Sequence, residues 1–116
     1  MAMPAQTQIA HLQPLVDELI ALVQETADDV DGAFIRRAFE FAAERHSGQV
    51  RKSGEPYVIH PLGVAKICAQ LRQQPAVIAA ALLHDVVEDT ETTIEELGVE
   101  FGDDVAVLVD GVPKLS

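Results

Sequence analysis

His60, the adjacent pair His84-Asp85 and the acids Glu88 and Asp89 are the residues of this chain best suited to chemistry. A helix turns once per 3.6 residues, so neighbouring side chains point about 100° apart. A cation beside the helix can therefore touch both His84 and Asp85, and His60 from elsewhere would add a third ligand. Two imidazoles and a carboxylate suit Mn²⁺, Fe²⁺, Zn²⁺ or Mg²⁺. Such a cation lowers the pKa of water and neutralises charge on a phosphoryl group. Glu88 follows His84 by four residues and Asp89 follows Asp85 by four, so each acid shares a face with a ligand if the helix continues. There they can orient a nucleophilic water or carry its proton. Arg51 and Lys52 supply the positive charge that a phosphorylated substrate needs on an acidic protein. Together the set points to metal-assisted hydrolysis.

Taken singly, each residue has a plainer reading. His84 follows Ala79-Ala80-Ala81-Leu82-Leu83 and reads equally as a core histidine bonded to Asp85 or to backbone. Glu88 and Asp89 read as a solvated last turn, although acids there oppose the helix dipole. Arg51-Lys52 reads as a hydrated loop. Cys68, the only cysteine, lies among apolar neighbours in VAKICAQL and reads as a buried core thiol rather than a nucleophile. His46 reads as structural and His11 as a surface residue.

The elements that must position these groups read as helices almost throughout. Ile9 to about Val23 carries an apolar stripe, with a start near Pro14, since proline is tolerated in a first turn. Asp31 is a candidate N-cap for a second helix to about His46, turning Phe34, Ile35, Ala38, Phe39, Phe41 and Ala42 inward. The segment from Ser47 to Tyr57 holds two glycines, a proline and the basic pair, and reads as a loop. Helices follow over Pro61 to about Arg72 and Pro75 to about Val87. Thr92-Thr93-Ile94-Glu95-Glu96 contains two overlapping capping boxes, and Asp103 or Asp104 is a candidate cap for a last helix through Val109. No segment reads as a strand. The class is all-α, and the last amphipathic stretch reads as cut from a larger fold.

Bulk properties narrow the partners. The chain has 116 residues, 48% of them hydrophobic, enough for one modest helical core. With 8 basic and 19 acidic residues its formal charge is −11, which repels nucleic acid and anionic membrane. One cysteine excludes an internal disulfide and suits a reducing cytoplasm. No signal peptide or bilayer-length apolar run is present, so a cytoplasmic location without membrane contact is expected.

Two stretches, HSGQVRKSGEPYVIHPLGVAKICAQL and AAALLHDVVEDTETTIEELGVEFGDDVAVLVDGV, closely resemble the N-terminal hydrolase domain of RelA/SpoT-type enzymes. These are the bifunctional (p)ppGpp synthetase/hydrolases of the HD phosphohydrolase superfamily. The resemblance runs from about Phe34 to Leu115. It implies an HD-domain-like helical bundle, C-terminally incomplete: a partial hydrolase domain over residues 1–116, with a helical lead-in over 1–30 and the basic loop and HD core over 31–116. Synthetase and regulatory domains are expected to be absent.

By position, the resemblance makes His60, His84 and Asp85 three of four protein ligands of a catalytic Mn²⁺. It makes Glu88 and Asp89 the acidic pair beside the attacking water. Arg51 and Lys52 become the loop that contacts a guanosine nucleotide (ppGpp or pppGpp), with Ser53 and Tyr57 as neighbours. The implied reaction removes the 3′-pyrophosphate, giving pyrophosphate and GDP or GTP. Two departures stand out: the family's fourth ligand is an aspartate on a later helix that this chain does not reach, and Pro113 replaces the threonine of GVTKL. Asp110 matches a different family segment and is not expected to substitute as a ligand. The competing readings are another HD phosphohydrolase, against which the RKSGEPY loop argues, and a silent remnant that binds nucleotide or oligomerises. Homodimerisation through surface exposed by truncation is the corresponding expectation.

Overall fold

A computed structural model describes residues 5–26, 32–46 and 57–111 of the chain. Six helices make up most of them: α1 Ala5–Thr26, α2 Gly32–Arg45, α3 Ile59–Gln70, α4 Pro75–Asp89, α5 Ile94–Phe101 and α6 Asp103–Gly111. No strand occurs among the described residues, and the fold is all-α as its sequence implies.

Helix α4 is the axis of the bundle, packed against α2, α3 and α6. It can be central because it is apolar nearly all round: Ile78, Ala79, Ala80, Ala81, Leu82, Leu83 and Val86 are buried. Its alanines let neighbouring helices approach closely, while Ile78, Leu82 and Leu83 fill the core beside Ile35 and Phe39. Pro75 opens the helix at its first turn, where a missing N–H costs nothing. Thr90 closes it, with both its backbone N–H and its hydroxyl bonded to the Val86 carbonyl, at 3.0 and 2.5 Å. The helix thus runs two residues past the expected end near Val87, carrying Glu88 and Asp89 on its last turn.

Three other boundaries differ from expectation. Helix α1 begins well before Pro14, which lies inside it. Pro14 and Ala10 are both exposed, so the carbonyl that loses its N–H partner is accessible to water. Helix α3 begins at Ile59 rather than Pro61, because a proline at the third helical position still falls within the unbonded first turn. His60 is therefore helical. Asp103 and Asp104 do not cap α6 but occupy its first turn, where their charge favours the dipole. The turn before it is made by Gly102 at φ 102°, a conformation that suits glycine. The proposed cap Asp31 lies outside the described residues.

Between the two candidate capping boxes the structure uses Thr93, whose hydroxyl accepts the Glu96 N–H at 3.1 Å. Thr92 is instead buried at 3% exposure and takes part in a tertiary link. Arg45 at the end of α2 donates to its hydroxyl at 3.2 Å, pairs with Glu96 at 2.6 Å and lies over the Phe41 ring at 4.4 Å. Arg37 lies over Phe101, and Phe34 and Phe41 meet the same ring edge-on. The inward face of α2 otherwise matches expectation, with Ile35, Ala38, Phe39 and Ala42 buried. Aromatic and guanidinium contacts from α2 thus fix α5 and the turn that ends α4.

Candidate metal centre

Helices α3 and α4 are joined by the short turn over residues 71–74, so they run antiparallel and the start of α3 lies beside the end of α4. This topology brings His60 to His84 and Asp85. One donor atom from each lies within 4.8 Å of the others. Donors about 2.1 Å from a common cation lie roughly 3–4.2 Å apart, so only a small closure separates this arrangement from coordination. Two nitrogens and one carboxylate oxygen fit a divalent transition ion. The imidazole rings of His60 and His84 are 6.1 Å apart and steeply inclined. His60 is exposed, while His84 and Asp85 are half-buried, so the group is reachable from solvent.

His84 is oriented by its own helix. Its Nδ1 lies 2.6 Å from the Ala81 carbonyl, an acceptor, so Nδ1 carries a proton and Nε2 faces Asp85 Oδ1 at 3.1 Å. Asp85 raises the His84 pKa by accepting this bond; burial works against the rise, and the Ala81 carbonyl and the charges of Asp85 and Asp89 add to it. The same bond holds the Asp85 carboxyl below the ordinary aspartate range, against burial and helped by the positive potential of His84, His60 and His46. A backbone carbonyl fixing the far nitrogen is the usual support of a metal-ligating histidine.

The two acids sit where their spacing predicts, four residues beyond His84 and Asp85 on the exposed last turn of α4. Asp89 accepts a 2.7 Å hydrogen bond from the Tyr57 hydroxyl. The Tyr57 ring stacks on His46, with centroids 4.6 Å apart and planes 21° from parallel. His46 is buried at 2% exposure, as its structural reading implies, but it also lies close enough to bias Asp85. Sequence reasoning missed this proximity. Its signal was faint: His46 lies eleven residues before Tyr57 and fourteen before His60 in the sequence. Arg51, Lys52 and Ser53 lie outside the described residues, as does Pro113. Asp110 is exposed on α6 and is not a member of the His60–His84–Asp85 group. Cys68 is half-buried rather than a core thiol. It packs against the edge of the core and lines an open groove between α3, α4 and α6. His11 is exposed, as expected.

Comparison with known proteins gives this geometry a family. The HD domain profile matches residues 38–116, well over half of the chain and all of His60, His84 and Asp85. The chain belongs to the HD domain family. Within that family it is of the RelA/SpoT type, as its motifs imply. A Mycobacterium leprae protein named probable GTP pyrophosphokinase is 47% identical to this HD domain over 108 residues, covering 93% of the chain. Proteins named guanosine-3′,5′-bis(diphosphate) 3′-pyrophosphohydrolase are 57% identical over 81 residues, or 70% of the chain, in Aquifex aeolicus and 46% identical over 101 residues, or 87%, in Vibrio cholerae. The chain spans 12% to 14% of the length of these three relatives. No helix among the described residues is long and apolar enough to cross a membrane.

Proposed function

We propose that this HD domain is the hydrolase part of a RelA/SpoT enzyme and removes the 3′-pyrophosphate of ppGpp or pppGpp, with Mn²⁺ as its cation. The observation that carries the reading is the convergence of His60, His84 and Asp85 within 4.8 Å, with Asp89 tied down one turn away. A cation held by those three groups would supply charge neutralisation at the phosphoryl oxygens and polarise water.

The remaining work falls to the chain's own side chains. The Ala81 carbonyl keeps His84 Nε2 aimed at the ligand position. Glu88 and Asp89 take the proton of the attacking water and pass one to the departing 3′-oxygen, which leaves as a hydroxyl, so the reaction consumes one water. Arg51 and Lys52, with Ser53, hold the guanosine nucleotide by charge-assisted bonds that a chain of net charge −11 must provide locally. Pyrophosphate release from ppGpp by the purified chain with added Mn²⁺ tests the reading. Release that vanishes in His84→Ala supports it; no release from a folded chain overturns it for this chain.

A second reading, self-association without catalysis, has an observation of its own. An apolar groove of about 240 Å³ is lined by Val64, Cys68, Val77 and Leu108 and reaches His84. Exposed Ile67 lies on the same helix, α3. Sedimentation of the wild-type chain against Leu108→Glu tests it: a dimer dispersed by the substitution supports this reading, and a monomer in both ends it.

A further inference from the structure

We propose that Tyr57 is a positioning residue that holds Asp89 in one orientation beside His84 and Asp85, and that His46 sets Tyr57 in turn. The sequence resemblance made Tyr57 a neighbour of the nucleotide. Its hydroxyl meets a carboxylate of the protein, Asp89 Oδ2, at 2.7 Å. A carboxylate is acceptor-only, so the phenol donates, in a charge-assisted bond stronger than a neutral one.

The need for such a bond follows from where Asp89 lies. It is the last residue of α4, exposed, at the end of the helix where the dipole disfavours negative charge. Proton transfer in the transition state requires a fixed donor–acceptor geometry, and on an exposed last turn the phenol bond helps to fix it. Tyr57 can fix it because its own ring is immobilised. The ring is half-buried and stacked on His46, which lies 2% exposed at the end of α2, its N–H still bonded to the Ala42 carbonyl at 3.0 Å. A contact path His46–Tyr57–Asp89 therefore links the buried end of α2 to the exposed end of α4.

The catalytic consequence rests on the hydrolase reading, so the test has one arm that needs activity and one that does not. With ppGpp and Mn²⁺, Tyr57→Phe keeps the stack but removes the hydroxyl. It lowers kcat by about tenfold while KM changes less than about twofold. In an Asp89→Asn background the same change has no further effect. A raised KM at unchanged kcat, or effects that multiply with Asp89→Asn, would overturn the proposal in favour of nucleotide contact.

The second arm uses the fact that Tyr57 is the only tyrosine and the chain has no tryptophan. Ultraviolet titration of the phenol therefore reports this one group. Its midpoint falls in Asp89→Asn but stays put in Glu88→Gln, which removes an equal charge from the same turn. Equal shifts in both variants, or none in either, would contradict the tie. If the wild-type chain hydrolyses nothing, the hydrolase reading fails while the phenol titration still decides whether Tyr57 holds Asp89.

Discussion

His84 presents Nδ1 to the Ala81 carbonyl at 2.6 Å and Nε2 to Asp85 at 3.1 Å. Both partners are acceptors, so in this arrangement the ring carries a proton on each nitrogen. A cation bound by His60, His84 and Asp85 would take the place of the Nε2 proton. Proton and metal thus compete for one lone pair, and the consequences can be read in both stability and binding.

The first consequence is a pH window. His84 titrates above the ordinary histidine value of 6.5, so its contribution to stability is complete below that value and disappears as pH rises through the raised one. Asp85 titrates below 3.8, so its contribution is complete above that value and disappears as pH falls through the lowered one. With chelator present, thermal melts should show a loss of stability as pH rises beyond the ordinary histidine value that His84→Ala no longer shows. Parallel curves for the two proteins would contradict the ion pair.

Arg45, packed on Phe41 of its own helix, joins α2 to Thr92 in the turn after α4 and to Glu96 of α5. Its side chain and that of Glu96 are both more than one-third exposed, so solvent weakens the ion pair. Arg45→Met should cost about 1 kcal/mol in urea unfolding, mostly through the lost ring contact and the bond to buried Thr92. A neutral substitution would mean that the α2–α5 link holds without it.

Arg72 has φ 61° in the turn after α3, where the Gln73 N–H bonds to the Cys68 carbonyl at 3.1 Å and the Arg72 N–H to that of Ala69 at 3.0 Å. This is the helix-ending geometry that glycine prefers. Arg72→Gly should stabilise the chain by about 0.5–1 kcal/mol, the relief of left-handed strain exceeding the added freedom of the unfolded chain. Destabilisation in the same urea assay would count against this account of the turn.

These cases show what sequence patterns transmit. The apolar run after Pro75 and the four-residue spacing of Glu88 and Asp89 are local and periodic, so both the helix and the shared face were legible. Pro14 misled because its tolerance depends on exposure of one carbonyl, which one-dimensional patterning does not carry. Thr92 and Thr93 are equivalent as caps by spacing; Arg45, forty-seven residues away, takes part in the link that separates them. The Tyr57–Asp89 bond spans thirty-two residues and the Tyr57 stack on His46 eleven, so neither leaves a periodic trace. The His60–His84–Asp85 group was legible as a residue set, while its geometry required the antiparallel turn between α3 and α4.

The central claim is that His60, His84 and Asp85 act as one cation site, and calorimetric titration with Mn²⁺ tests it most directly. The chain should bind one equivalent, with affinity falling by up to about tenfold per pH unit below the raised His84 value. His84→Ala and Asp85→Asn should each weaken binding by at least about a hundredfold. Binding of equal strength in wild type and both variants, or none in the wild type, would contradict the account.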